Sequence, residues 1–168
     1  MEERYILKGV GVPSYYLGGD VIQGHTLDEW KMQPIDWILA SKTYPSNMIE
    51  KFERLMADGR AQYHFSEYKT PMDKEYHPEL DETALLDAEF QTRYRSMIGS
   101  LNWLISLGRF DIQYATTTLA RYNNGPREGH LKAVLRILGY VKKFNKGKLL
   151  IDPTLPEHEL YPYDDLNN

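Results

Sequence analysis

The feature that most constrains the fold is a helical periodicity that runs through the second half of the chain. From Phe90 onward, apolar residues recur three and four positions apart, with breaks near Gly108 and at Asn123–Pro126. This spacing is typical of amphipathic helices that bury one face. It predicts three helices, and their short connections favour a small antiparallel packing.

Each predicted helix has an apolar face, and boundary residues suggest where it begins and ends. The predicted core positions are Tyr94, Ile98, Leu101 and Ile105 in the first helix, Ile112, Ala115, Leu119 and Tyr122 in the second, and Leu131, Val134, Leu135, Leu138 and Val141 in the third. Asp111 is placed to cap the second helix, and Pro126 suits the first turn of the third. Gly147 is expected to end the third helix.

The first half of the chain has a different pattern. Tyr15–Ile22 predicts a strand in which paired glycines mark a bulge or a close backbone approach, and Trp37–Ala40 predicts a return strand. Ser46 or Asn47 is placed to cap a helix that continues through Met56, and Gly59 is placed to close it.

These elements predict an α+β fold, with a small β-hairpin followed by a mainly α-helical, three-helix unit. We expect a first region at residues 1–60, an acidic linker or long loop at 61–89, the helical unit at 90–147 and a second acidic linker at 148–168. The start of that last region, Leu149–Ile151, predicts a strand.

Charge is distributed unevenly along the chain. The net charge is −4, but residues 90–151 carry 11 basic and 2 acidic side chains. The basic residues of the third helix and its exit are Arg127, Lys132, Arg136, Lys142, Lys143, Lys146 and Lys148. Because phosphates respond to the local field, this region favours a nucleic-acid partner. A solvated basic helical surface explains the same charges equally well.

The sequence lacks the residues that several classes of function require. The chain has no cysteine, which excludes disulfides and thiol nucleophiles, and its histidines show no metal-ligand spacing. A single aspartate, Asp20, cannot build a two-metal site, and Asp164-Asp165 lie in an acidic tail. We therefore predict no catalytic residue, cofactor or metal in this chain, and the lack of cysteine favours an intracellular protein.

The first predicted helix has a second, more polar face. Arg95, Gly99 and Trp103 lie four positions apart with Asn102 beside them, opposite the apolar stripe. This polar face combines a hydrogen-bond donor, a position without a side chain, an amide and an amphipathic ring. These features suit a helix that lies along the minor groove of a nucleic acid and recognises its shape and sugar edges, not its base sequence. The alternative is that Gly99 permits close helix packing and that Trp103 belongs to the core.

An ordered set of motifs resembles the copia-type long-terminal-repeat retrotransposon polymerases. Tyr94–Leu104 is similar to the opening "YR-x-x-IGSL-x-YL" of that family's thumb, and Arg109–Ala115 to its "RPDI-x-YA" block, with Phe110 in place of proline. Pro126–Lys142 follows its "P-x-x-x-HW-x-A-x-RILRYLK" helix, with Leu131 and Gly139 as departures. Upstream, Tyr16–Val21 resembles the primer-grip hairpin "FLG-x-EI". Further similarities are Ser41–Phe52 and Thr70–Met72.

The resemblance implies the C-terminal palm hairpin and thumb of an RNA-directed DNA polymerase. It implies that Tyr16, Leu17 and Gly18 hold the primer end, and that the face containing Arg95, Gly99, Asn102 and Trp103 contacts the primer–template duplex. We also expect phosphate contacts from Lys132, Arg136 and Lys142.

The resemblance also implies partners for this chain and a location in a cytoplasmic particle or the nucleus. The catalytic aspartates, which bind magnesium in the complete polymerase, are expected before Met1, and a ribonuclease H domain is expected after Asn168. The alternative is a non-enzymatic nucleic-acid-binding or protein-interaction module, a domesticated remnant.

Overall fold

The fold combines a four-stranded sheet with four α-helices, which confirms the predicted α+β class. The computed structural model describes residues 14–16, 18–23, 37–40, 43–57 and 66–151. The strands are β1 (Tyr15–Tyr16), β2 (Gly19–Gln23), β3 (Trp37–Ala40) and β4 (Lys148–Ile151), and the α-helices are α1 (Thr43–Ala57), α2 (Ala88–Ser106), α3 (Gln113–Ala120) and α4 (Glu128–Lys143). Short 3₁₀ helices occupy Pro78–Leu80 and Phe110–Ile112.

The sheet is antiparallel in the order β1-β2-β3-β4. β4 pairs with β3, so the predicted strand at Leu149–Ile151 is confirmed and joins the two halves of the chain. The prediction of a single strand over Tyr15–Ile22 is wrong, because a tight turn divides it into β1 and β2. Gly18 takes a left-handed φ of 96° in this turn, a conformation that glycine adopts without steric cost.

The helices share one apolar core, and the predicted faces are largely correct. Tyr94, Ile98 and Leu101 of α2 are buried with Ile112, Ala115 and Leu119. All five predicted core positions of α4 are buried as well. The Tyr94 hydroxyl donates to the Leu119 carbonyl over 2.7 Å. This bond satisfies a polar group that would otherwise be costly inside the core.

Four of the predicted helix boundaries are wrong. The third predicted helix, α4, ends at Lys143 instead of continuing to Gly147. α1 begins at Thr43, so Ser46 and Asn47 lie inside the helix, and Gly59 lies outside the described residues. Asp111 does not cap α3, because it belongs to the preceding 3₁₀ turn and its carboxylate accepts two hydrogen bonds from Arg109. Pro126 lies one position before Arg127, the N-cap residue of α4, and is therefore outside the helix. The Pro126 carbonyl accepts a hydrogen bond from the backbone N–H of Leu86.

Residues 66–87, which we call the clasp, lie against α4. The clasp contains little regular structure, as expected for a long loop, yet Pro78 and Leu86 are buried. Two α4 glycines permit this contact. A Cβ at Gly129 would overlap with the Asp81 carboxylate, and one at Gly139 would overlap with the Ser66 carbonyl oxygen. Residues 61–65 lie outside the described part of the chain.

His130 joins the clasp to the helices. Its Nε2 atom lies 2.9 Å from the Pro78 carbonyl oxygen, and its Nδ1 accepts the Arg127 backbone N–H at 3.1 Å. The Tyr122 ring stacks on the imidazole with centroids 4.1 Å apart. A carbonyl can only accept, so Nε2 is the donor to Pro78. His130 is therefore a buried structural residue.

Candidate nucleic-acid interface

The α2 residues selected from spacing form one exposed stripe. Arg95, Gly99, Asn102 and Trp103 are all exposed, whereas the other side of the helix is buried. Trp103 is 40% exposed, and a Cβ at Gly99 would meet no atom within 4 Å. The alternative reading, in which Gly99 permits helix packing and Trp103 is a core residue, is therefore wrong.

The stripe is polar without being acidic. Between Phe90 and Ser106 the helix has no carboxylate, so nothing on this face of α2 repels a phosphate. Arg95 donates from Nε to the Asn123 carbonyl over 2.8 Å and from Nη2 to Gln91 over 3.2 Å. These bonds fix the direction of the guanidinium and occupy two of its five N–H donors.

The β-hairpin lies at the end of the stripe. A Cβ built on Gly18 would lie 3.7 Å from Trp103 Nε1 and 3.8 Å from Leu107 Cδ1, so the turn passes close to the indole. Tyr15 and Tyr16 on β1 are 64% and 61% exposed. One residue of the predicted primer-grip set, Gly18, therefore neighbours the α2 stripe, and Tyr16 lies two positions before it on β1. The third, Leu17, lies outside the described residues.

The hairpin position depends on two close backbone approaches. A Cβ at Gly19 would lie 2.8 Å from Leu39 Cδ1, so the glycine lets β2 approach that side chain. Gly108, with a φ of 98°, reverses the chain after α2 beside Leu149. The sheet is thus held against the C-terminal end of α2, where Trp103 lies.

The three α4 residues that were expected to contact phosphate, Lys132, Arg136 and Lys142, have different neighbours. Arg136 is occupied by the clasp, because it donates to Thr70 and Asp73 and lies 4.7 Å from the centre of the Tyr68 ring. Lys142 donates to Glu53 of α1 over 2.6 Å. A phosphate would have to compete with these acceptors, whereas Lys132 is exposed.

The structure therefore shows which basic residues are paired with carboxylates and which are not. Within the described residues, Arg93, Arg109, Arg136 and Lys142 each form an ion pair with a carboxylate. Lys143, Lys146 and Lys148 form none there and lie together at the junction of α4 and β4. These lysines were grouped with the α4 cations in the sequence, but none of them was selected as a site residue. The available signal was their close spacing, three and two positions apart, from the last turn of α4 into β4.

The stripe and hairpin can bind by shape more than by charge. Arg95 is the stripe's one cation, so counterion release from the stripe itself is small. The distance along α2 from Thr92 to Ser106 is roughly 20 Å at about 1.5 Å per residue. An exposed indole and amide beside an open glycine position can contact sugar edges in a shallow groove.

The described part of the chain contains neither a metal-binding cluster nor a membrane-spanning helix. There, no group of three or more histidine, cysteine, aspartate or glutamate side chains is arranged to hold a metal ion. Among the described helices, none has the length and apolar character needed to cross a membrane.

Comparison with known proteins finds similarity to a retrotransposon protein. The retrovirus-related Pol polyprotein from transposon RE1 of Arabidopsis thaliana is 44% identical to the chain over 50 residues. The matched stretch is 30% of this chain and 3% of that polyprotein. No family model and no solved structure matches the chain. The chain is thus similar, over part of its length, to a retrotransposon Pol polyprotein.

Proposed function

We propose that this chain is derived from the reverse transcriptase region of a copia-type retrotransposon Pol polyprotein and binds the primer–template duplex. In this proposal α2, α3 and α4 form the thumb, and the β1–β2 hairpin is the primer grip. Polymerase carboxylates and a ribonuclease H domain belong to other parts of the parent polyprotein. The chain itself positions nucleic acid, which contributes to rate by holding reactants in line.

The observation that carries the proposal is the pairing of the α2 stripe with the hairpin. The motifs that suggested a thumb opening and a primer grip are far apart in sequence, yet the structure places Gly18 beside Trp103. The result is an exposed stripe, free of α2 carboxylates, with the hairpin turn beside Trp103. The partial similarity to a Pol polyprotein supports the same proposal.

Binding of a short labelled RNA–DNA hybrid, followed by fluorescence anisotropy, tests the proposal. Trp103→Ala is expected to weaken binding about fivefold, equivalent to about 1 kcal/mol, by removing ring contact with the groove. Its salt slope should stay unchanged because the indole is uncharged. The matched control is Tyr114→Ala, which removes a ring that is 76% exposed on α3, away from the stripe.

A second variant separates binding from folding. Asn102→Asp adds a negative charge to an exposed position, so it should weaken hybrid binding while leaving helix content and the melting temperature unchanged. If Trp103→Ala and Asn102→Asp bind the hybrid as tightly as Tyr114→Ala does, the duplex-binding proposal is wrong. A non-enzymatic interaction module is then the better reading of the fold.

A further inference from the structure

A cavity of about 680 Å³ lies where α4 passes into β4, outside the α2 stripe. Four cationic side chains line it (Arg109, Lys143, Lys146 and Lys148), together with the rings of Phe110 and Phe144. The volume falls within the range of pockets that hold small organic ligands. The combination of cations and rings in one pocket is specific enough to indicate a class of ligand.

The pocket is strongly positive. Its one lining carboxylate, Asp111, accepts hydrogen bonds of 2.9 and 2.8 Å from Arg109, so these two charges offset each other. The three lysines form no ion pair with a described residue and all are exposed. The C-terminal end of α4 contributes roughly half a negative charge. Three lysine charges outweigh it, and an anionic ligand is favoured.

Two large rings in the pocket are open to solvent. Phe110 is 56% exposed and Phe144 is 43% exposed, although both are fully apolar. Phe144 is held beside Tyr140 with ring centroids 5.0 Å apart, so its orientation is set. Exposed rings in the same pocket as lysines provide stacking faces beside phosphate-binding charges, the combination that single-stranded nucleic acids require.

The loop that carries the lysines is fixed by a buried arginine. Arg109 is only 4% exposed, and its Nη1 donates to the Phe144 carbonyl over 2.8 Å. Gly147 packs on the same side chain, because a Cβ there would overlap with Arg109 Cδ. This packing reduces the conformational entropy that the loop would lose on binding.

We propose that this pocket binds an unpaired nucleotide of a single-stranded RNA or DNA. The base stacks on Phe110, the more exposed of the two rings, and Lys143, Lys146 and Lys148 contact the phosphates. A paired base in a duplex cannot offer its face to a protein ring, so the ligand is single-stranded. The inference does not rest on the α2 stripe, and either proposal can fail without the other.

Anisotropy titrations with a labelled oligouridine or oligothymidine test this proposal. Replacing Lys143, Lys146 and Lys148 together by Gln should weaken binding at least tenfold at low salt. Each phosphate contact on a single strand contributes about 0.7 to the magnitude of the slope of log K against log salt. Loss of three contacts should therefore reduce that magnitude by about 2. The matched control replaces Lys51, Lys69 and Lys74 by Gln, which removes equal charge from exposed positions elsewhere. It should bind almost as the unaltered chain does.

Ring substitutions separate stacking from charge. Phe110→Ala should weaken single-strand binding about fivefold or more, as expected for the loss of one stacked base. Tyr114→Ala again serves as the control on an exposed ring. Circular dichroism should show equal helix content in all variants.

Competition identifies the ligand. Displacement of the oligonucleotide by free uridine monophosphate would show that one nucleotide fills the site, and failure to displace would show that the continuous strand is bound. Both results support the proposal. Equal losses in the two lysine triples, an unaffected Phe110→Ala variant, or equal competition by polyglutamate would each overturn it.

Discussion

At the scale of single residues, two helical glycines have opposite surroundings. Gly99 on α2 is exposed with open space where a Cβ would point, and Gly139 on α4 is buried against the Ser66 carbonyl. Alanine stabilises a helix interior by up to about 1 kcal/mol relative to glycine. Gly99→Ala should therefore raise the free energy of unfolding by about that amount, as measured by urea denaturation.

Gly139→Ala should do the reverse. The added methyl group must displace the clasp, and overpacking of this kind costs typically about 1–3 kcal/mol, more than the helix propensity gains. The pair also probes function, since Gly99→Ala should weaken hybrid binding while stabilising the chain. A stabilised Gly139→Ala variant would show that the clasp does not pack on α4 as described.

The Arg109–Asp111 pair makes stability depend on pH. Burial alone raises the pKa of Asp111, but hydrogen bonds and charge from Arg109 outweigh it and lower the pKa below the ordinary 3.8. A carboxyl with a lowered folded pKa contributes stability above its unfolded pKa, and this contribution is lost as pH falls through the folded value.

Asp111→Asn should accordingly be less stable than the unaltered chain near neutral pH. The difference between their urea midpoints should shrink as the pH falls below 3.8. The pair's carboxylate is 39% exposed, so the effect should be modest. A constant difference across this range would mean that Asp111 acts through packing instead of charge.

At the scale of elements, one α4 side chain holds the first part of the clasp. Arg136 makes three hydrogen bonds to Thr70 and Asp73, and no other described residue joins Thr70 to α4 by a side-chain hydrogen bond. Arg136→Gln should destabilise the clasp by about 1–3 kcal/mol. Trypsin should then cleave faster after Lys69 and Lys74, which both lie in the clasp.

Lys132→Gln is the control for that experiment, because Lys132 is on the same helix but exposed. Its cleavage rate should match that of the unaltered chain. Equal rates in the Arg136 variant would mean that the other contacts of the clasp, such as those of His130 and Thr83, hold it without Arg136.

The α2 stripe could be predicted from sequence and the α4 contacts could not. Periodicity is a local property, so the spacing of Tyr94, Ile98 and Leu101 identified the buried face and, by exclusion, the exposed residues. The partners of Arg136 and Lys142 lie 63 and 89 positions away. No local pattern carries such information, and both cations therefore looked free.

The prediction that Asp111 caps α3 was wrong because another side chain competes for its carboxylate. Asp111 has the residue type of an N-cap, but the buried Arg109 offers it a two-bond ion pair instead. A charged, doubly bonded partner is stronger than one neutral backbone N–H. By contrast, Asp87 does cap α2, because its side chain accepts the Phe90 N–H at 2.9 Å.

At the scale of the whole molecule, the sheet couples the two halves of the chain. β4 follows the lysine-rich loop directly and pairs with β3, which in turn pairs with the hairpin strand β2. The hairpin beside Trp103 and the pocket at the end of α4 are therefore connected through one sheet. In the proposed function, this coupling fixes the distance between a duplex on the α2 stripe and an unpaired strand in the pocket.

The last prediction concerns chemistry: the chain as printed should not extend a primer. Two-metal phosphoryl transfer needs several carboxylates placed around two magnesium ions, and the described residues contain no cluster able to hold one. The direct measurement is primer extension on a primed RNA template with magnesium or manganese. No incorporation above background is expected from the purified chain.

Two outcomes distinguish the reasons for that inactivity. Addition of a polypeptide that supplies palm carboxylates should permit extension if the chain is a positioning part of a polymerase, and Trp103→Ala should then reduce the rate. Incorporation by the chain alone that disappears in Asp20→Asn or in Asp164→Asn would contradict the proposal, because those aspartates would then belong to an active site. The restoration experiment is the stronger of the two, since it requires the stripe and the hairpin to hold a primer end where another segment can act on it.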